Sequence, residues 1–221
     1  MTSAERRRLT RLHRFERELW EGGLHLICGV DEVGRGPLAG PVTACAVVIE
    51  RPLRLEFLDD SKVVTELRRE ALDALIREQA FAVSVGWADH AEIDLLNILG
   101  ASRLAMHRAI AGLGVVPCKV LVDGYPLPHC VYPQLSIIDG DAKSAAIAAA
   151  SIVAKVARDA LMNDLDAAYA GYGFSHNKGY STPEHLTALK ALGPCPVHRR
   201  SFAPVLQPSF DFSDTEAVAL S

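Results

Sequence analysis

Three short apolar runs in this chain end on acidic residues, and that recurrence restricts the fold more than any other feature. The first, Leu24 to Val30, stops at Asp31-Glu32 and the turn Gly34-Arg35-Gly36; the second, Lys119 to Val122, stops at Asp123-Gly124; the third, Leu135 to Ile138, stops at Asp139-Gly140-Asp141. A short apolar run closed by turn residues reads as a buried strand, and parallel strands deliver the residues after them to one carboxyl edge of a sheet. Carboxylates gathered there repel one another and resist leaving water, for which a divalent cation is the usual remedy. Each acid alone also has an ordinary explanation. Asp31-Glu32 can be a solvated acidic turn, Asp123 a turn residue before Gly124, and Asp141 a helix cap.

The topology comes from the order of the runs. Strand one is expected over 24–31, and the unbroken apolar stretch Val42 to Ile49 reads as its antiparallel partner, with Phe81 to Trp87 as a third strand. The order predicts a mixed α/β sheet, antiparallel in its first three strands and parallel where strand four joins strand one. Asp31 and Asp123 would then end on neighbouring strands. Helices are expected over 4–21, ended by Gly22-Gly23, and over 66–79 behind Thr65. Another is expected over 90–111 with Gly100 as its weak point, and one from Pro183 capped by Thr182. Between Asp141 and Met162 lies an alanine-rich helix, with Ile147, Ala150, Ala154, Ala157 and Leu161 as its core seam beside a mostly polar stripe of Asp141, Ser144, Ala148, Ser151 and Lys155.

Composition narrows the chemistry. A chain of 221 residues at 49% hydrophobic content suits one sizeable core, and a formal charge of -4 announces no general affinity for nucleic acid. Between Phe174 and Val205, however, Lys178, Lys190, Arg199 and Arg200 face Glu184 alone, beside His176, His185 and His198, so a positive surface stripe is expected. Five cysteines without a Cys-x-x-Cys pair point to free thiols in a reducing compartment. The arginine-rich start lacks the apolar core of a secretory signal, and no stretch is apolar enough to span a membrane, so a soluble cytoplasmic protein is expected. Oxygen ligands without clustered Cys or His favour magnesium or manganese over zinc, and two such ions can activate water and stabilise a leaving oxygen in phosphodiester hydrolysis. Gly34 to Gly40 has the wrong spacing for a dinucleotide fingerprint, and a strand comes after it rather than a helix. Its glycines instead admit a ligand to the backbone while Arg35 faces a phosphate, and Asn177-Lys178-Gly179-Tyr180 suits stacking on a sugar or base.

Taken in order, these blocks resemble the bacterial ribonuclease HII family. The resemblance rests on Gly29 to Gly36 with Pro37, Ala39, Gly40 and Pro41; on Asp60-Ser61-Lys62; on Val122-Asp123-Gly124; on Gly140 to Ser144; on Ala149 to Val156; on Lys178-Gly179-Tyr180; and on His198-Arg199-Arg200-Ser201-Phe202. It implies an RNase H-like five-stranded sheet flanked by helices with a carboxy-terminal helical extension. The chain would divide into an arm (1–21), a catalytic domain (22–205) and a tail (206–221). The implied activity is cleavage of RNA in RNA–DNA hybrids and incision 5' to single ribonucleotides in duplex DNA, leaving 3'-hydroxyl and 5'-phosphate ends, by a monomer using two Mg²⁺ or Mn²⁺ ions. Asp31, Glu32, Asp123 and Asp141 would be the catalytic metal ligands, and Gly34, Arg35, Gly36 and Tyr180 would read the ribose 2'-hydroxyl. Lys62, Lys143, Ser144, Lys155, Arg199 and Arg200 would hold backbone phosphates or buttress the site. The family usually carries a second lysine where this chain has Val63. The alternatives are a ribonuclease HIII-like nuclease, which typically has an added amino-terminal domain and Gly-Lys-Gly, and a silent hybrid-binding module, which would be expected to lack one or more of the four acids.

Overall fold

The apolar-then-acidic runs do form adjacent strands. In a computed structural model that describes residues 1–206, the elements are α1 (Ser3–Leu12), α2 (Arg14–Glu21), β1 (Ile27–Val33), β2 (Val42–Ile49), α3 (Glu66–Gln79), β3 (Ala82–Ala88), α4 (His90–Ala111), β4 (Lys119–Asp123), β5 (Gln134–Ile137), a 3-10 turn (Gly140–Ala142), α5 (Ala145–Ala168), α6 (Phe174–Asn177), α7 (Pro183–Leu192) and α8 (Ala203–Leu206). The five strands order as β3-β2-β1-β4-β5. β1 pairs antiparallel with β2 and parallel with β4, as the order of the runs predicts, and β4 pairs parallel with β5. In register, Val30 lies beside Val122, so Asp31 and Asp123 come next on neighbouring strands at the same edge.

Helices cover both faces of the sheet, and the alternation of side chains along each strand explains why. Cys45, Val47 and Ile49 of β2 pack with Ala145 to Ala154 of α5, while Val42, Ala44, Ala46 and Val48 pack with Ile93, Ala101, Ala105 and Ala109 of α4. Both faces of β2 are therefore dry, which accounts for its unbroken apolar sequence. The alanines of α5 let it lie directly on β1. At Gly29 a Cβ would stand 2.1 Å from the Ala146 carbonyl carbon, so only glycine admits the helix there.

Several boundaries differ from the sequence pattern. The arm is two helices rather than one, because the His13 backbone leaves the helix while its ring accepts from the Leu53 amide and donates to the Leu9 carbonyl. α4 breaks at Asn97, with φ 58° and ψ 169°, and not at Gly100; the Asn97 carboxamide then caps the second half by accepting from Leu99 and Gly100. α5 begins at Ala145 with Ser144 as its cap, so Asp141 sits one turn earlier in the 3-10 segment. Its buried seam carries Arg158 and Asp159, whereas Ala157 and Leu161 are partly exposed. No helix of the described residues is long and apolar enough to cross a membrane. Of the expected tail (206–221), Leu206 ends α8 and 207 onward lies outside the described residues.

Candidate active site

β1 places Asp31 and Glu32 on opposite faces of the sheet edge, because neighbouring strand residues alternate. Asp31 falls on the face covered by α5 and is buried, as is Asp141 in the 3-10 turn. Asp123 ends β4, and its Oδ1 accepts from the Gly140 amide at 2.6 Å, which ties the strand end to the turn that carries Asp141. Burial, and after it the charges of Glu32 and Asp123, pushes the Asp31 carboxyl well above the usual carboxylate range, against the pull of the Ser151 hydroxyl. Burial also raises Glu32, which Arg35 counteracts, and it raises Asp123 despite the Gly140 hydrogen bond.

The excess negative charge is met by two side-chain cations. Lys62 Nζ lies 3.1 Å from Asp141 Oδ2, and Arg35 Nη1 lies 3.2 Å from Glu32 Oε1. Burial tends to lower the Lys62 ammonium, but the hydrogen bond to Asp141 and the surrounding acids raise it overall. Its side chain is 78% exposed, so it can leave Asp141 without unpacking anything. Among the described residues no three acid, histidine or cysteine side chains already surround one point. Each of the four carboxylates instead takes a protein donor: the Glu32 amide for Asp31, Arg35 for Glu32, the Gly140 amide for Asp123, and Lys62 with the Ala142 amide for Asp141. A hard divalent cation fits this set, whose donors are all oxygen and whose Lys62 ammonium already supplies positive charge in its place.

Beside the acids, two loops meet. Gly36 faces the Tyr180 ring, where a Cβ would be in ordinary contact at 3.5 Å from Tyr180 Cε1, and Leu38 N donates to the Gly179 carbonyl at 2.7 Å. Two buried guanidiniums fix their shape. Arg199 donates to the carbonyls of Gly34, Arg35 and Gly40, and Arg158 donates to those of Ala39, Pro41 and Lys178. Gly34, at φ +86°, is required by the second of these, since a Cβ would stand 2.2 Å from Arg158 Nε. Burial, with the neighbouring Arg158 charge, pulls Arg199 down to about 9, which leaves it cationic at neutral pH.

The structure sorts the sequence-predicted contacts into two kinds. Gly36, Arg35, Tyr180, Lys62, Lys143 and Arg200 are exposed, and Lys155 is half-buried against Asp159. Ser144 and Arg199 are fully buried, so they cannot touch a phosphate here and act as buttresses. The expected positive stripe over 174–205 keeps Lys190 and Arg200 exposed and Lys178 half-buried, but loses Arg199, His185 and His198, which are buried. Sequence reading missed Arg158, although an arginine inside a run of buried small residues was a usable signal. It also missed Glu16, buried in α2, whose Oε1 accepts from the Ser144 hydroxyl and the Ala146 amide and so anchors the start of α5.

Comparison with known proteins bears on the chain as a whole. The family profile described as Ribonuclease HII matches residues 28–205. A "Ribonuclease HII" of Desulfitobacterium hafniense (strain Y51) is 55% identical over 203 residues, covering 92% of this chain and 78% of that protein. One from Moorella thermoacetica is 53% identical over 201 residues, covering 91% and 98%. Among solved structures, the ribonuclease H2 of Pyrococcus horikoshii OT3 superposes with a TM-score of 0.71 at 27% identity, covering 83% of this chain and 96% of that one.

Proposed function

The chain belongs to the ribonuclease HII family, an endonuclease family acting on RNA–DNA hybrids with divalent metal, and from that premise we propose the finer reading that it incises 5' to single ribonucleotides embedded in duplex DNA. The observation that carries this reading is the apposition of Tyr180 to Gly36, the residue after Arg35, whose guanidinium pairs with Glu32. One group distinguishes a ribonucleotide from its neighbours, the 2'-hydroxyl, and it both donates and accepts. The Gly34-Arg35-Gly36 backbone and the exposed Tyr180 ring offer a narrow place for a sugar next to the carboxylates.

Asp31, Glu32, Asp123 and Asp141 would hold two Mg²⁺ or Mn²⁺ ions. When bound, these supply the charge that activates water and stabilises the departing oxygen. The chain's own residues do the rest. The Gly140 amide orients Asp123, Lys62 neutralises Asp141 and can swing out to meet a phosphate, and Arg35 is placed to shift from Glu32 to the nucleic-acid backbone. Hydrolysis with departure of the 3' oxygen leaves 3'-hydroxyl and 5'-phosphate ends. Hybrids and ribonucleotide-bearing duplexes are the partners, and a monomer carries every residue named.

The test is a labelled duplex with one embedded ribonucleotide, run with each metal and with EDTA. Asp123→Asn is expected to keep binding while losing on the order of a thousandfold or more in cleavage. Near-normal turnover by that variant would remove Asp123 from the site, and no cleavage by the parent would remove the junction reading.

A further inference from the structure

His185 and His198 are both fully buried, and all four of their ring nitrogens are engaged. The groups at the two ends of the pair set the direction of every bond in it. The Cys195 amide can only donate, and it reaches His198 Nδ1 at 3.0 Å, so that nitrogen is unprotonated and the neutral ring carries its proton on Nε2. His198 Nε2 then donates to His185 Nε2 at 3.0 Å. His185 must in turn carry its proton on Nδ1, which donates at 2.8 Å to an atom that can only accept, the Tyr180 carbonyl oxygen. Tyr172 and Phe174 wall the pair, with ring centroids 5.0 to 6.4 Å away. Burial holds both imidazoles below the usual histidine range, His198 at about 4, in keeping with neutral rings.

The end of this relay matters because of what adjoins its beginning. The residue after His198 is Arg199, whose guanidinium holds the Gly34 and Arg35 carbonyls, and His198 itself bridges to Ala39. One short segment therefore grips both halves of the sugar-contact region, the glycine–arginine loop through Arg199 and the tyrosine through His198 and His185. The circuit closes where Gly36 meets the Tyr180 ring. The tyrosine loop needs such restraint, since Lys178 holds φ 50° without being glycine and Tyr180 is 42% exposed.

We propose that His198 and His185 are positioning residues for ribonucleotide discrimination, a directed hydrogen-bond relay that fixes Tyr180 relative to the Gly34-Arg35-Gly36 backbone. This rests on the reading that Tyr180 contacts the ribose. Neither imidazole touches substrate, so each acts only through the tyrosine.

A double-mutant cycle on the embedded-ribonucleotide duplex separates the two statements. His198→Ala alone is expected to lower kcat/KM by about tenfold, and in a Tyr180→Ala background to cause no further loss. Additive losses would overturn the relay as a positioning device. An undiminished rate in Tyr180→Ala alone would overturn the tyrosine reading, and the proposal with it. His198→Gln, whose amide nitrogen can replace the Nε2 donor, is expected to recover most of the rate, and His198→Leu, which fills similar space without a donor, is not; equal recovery by both would reduce the pair to space-filling. Should the alanine variant fail to fold, ring-nitrogen NMR of the unaltered protein decides the matter. Proton on Nδ1 of His185 and on Nε2 of His198 is expected at neutral pH, and the opposite tautomers would sink the relay.

Discussion

Asp123 has two duties that oppose each other. In the proposed function it would present oxygen to a cation, yet without one it adds negative charge beside Asp31, Glu32 and Asp141 in a partly desolvated edge. Its contribution to the fold, the acceptor for the Gly140 amide, needs only a carbonyl-like Oδ1. Asparagine keeps that acceptor and removes the charge. In EDTA, Asp123→Asn is therefore expected to melt at a higher temperature than the parent, by the equivalent of about 0.5–2 kcal/mol, while Mn²⁺ raises the parent's melting temperature more than the variant's. A lower melting temperature for the variant in EDTA would show that repulsion at this edge is not what the fold works against. Under the proposed function this residue would exchange stability for metal binding, and scanning calorimetry with and without metal measures both sides.

At the scale of elements, α5 is the part whose start matters most, because it carries Ser151 toward Asp31 and Arg158 toward the carbonyls of Ala39, Pro41 and Lys178. Its first turn is capped internally by Ser144 and from outside by Glu16, more than a hundred residues earlier in the chain. Glu16→Ala leaves a buried hydroxyl and a buried amide without their acceptor, so a loss of about 2–4 kcal/mol in urea unfolding is expected, with unchanged metal dependence of cleavage. The sequence made α5 visible through its alanines, and it made the strands visible because each buried face needs its own apolar period. The four carboxylates could be read because acids after apolar runs are conspicuous. What could not be read were the contacts that break local rules. The helix start moved from Asp141 to Ser144 because both can cap, and only the distant Glu16 distinguishes them. Arg199 looked like a phosphate contact because a sequence does not reveal that six backbone carbonyls wait for it and Arg158 in the interior. The break at Asn97 was displaced from Gly100 because an asparagine side chain can cap the half-helix after it.

For the whole molecule, the buried histidines give stability a definite dependence on pH. In the unfolded chain both take up protons near pH 6.5, whereas burial keeps the folded pair neutral to lower pH, His198 to about 4. The unfolded state therefore binds more protons as pH falls from 6.5 toward 4, and stability decreases over that window by up to about 1.4 kcal/mol per pH unit per group. Buried acids such as Glu16 work in the other direction, because their folded-state affinity for protons is raised. Melting temperatures of the parent and His198→Gln should accordingly converge as the buffer is taken from pH 7 to pH 4.5, and a parallel course would remove His198 from the balance. The same molecule is also assembled in a particular order. The Gly34 carbonyl waits for a guanidinium 165 residues further along, while the last of the four carboxylates, Asp141, and the helix behind it are synthesised well before. During each round of translation the carboxylate edge can be complete while the Gly34-Arg35-Gly36 loop still lacks the guanidinium that holds its carbonyls, and the emergence of Arg199 from the ribosome ends that interval.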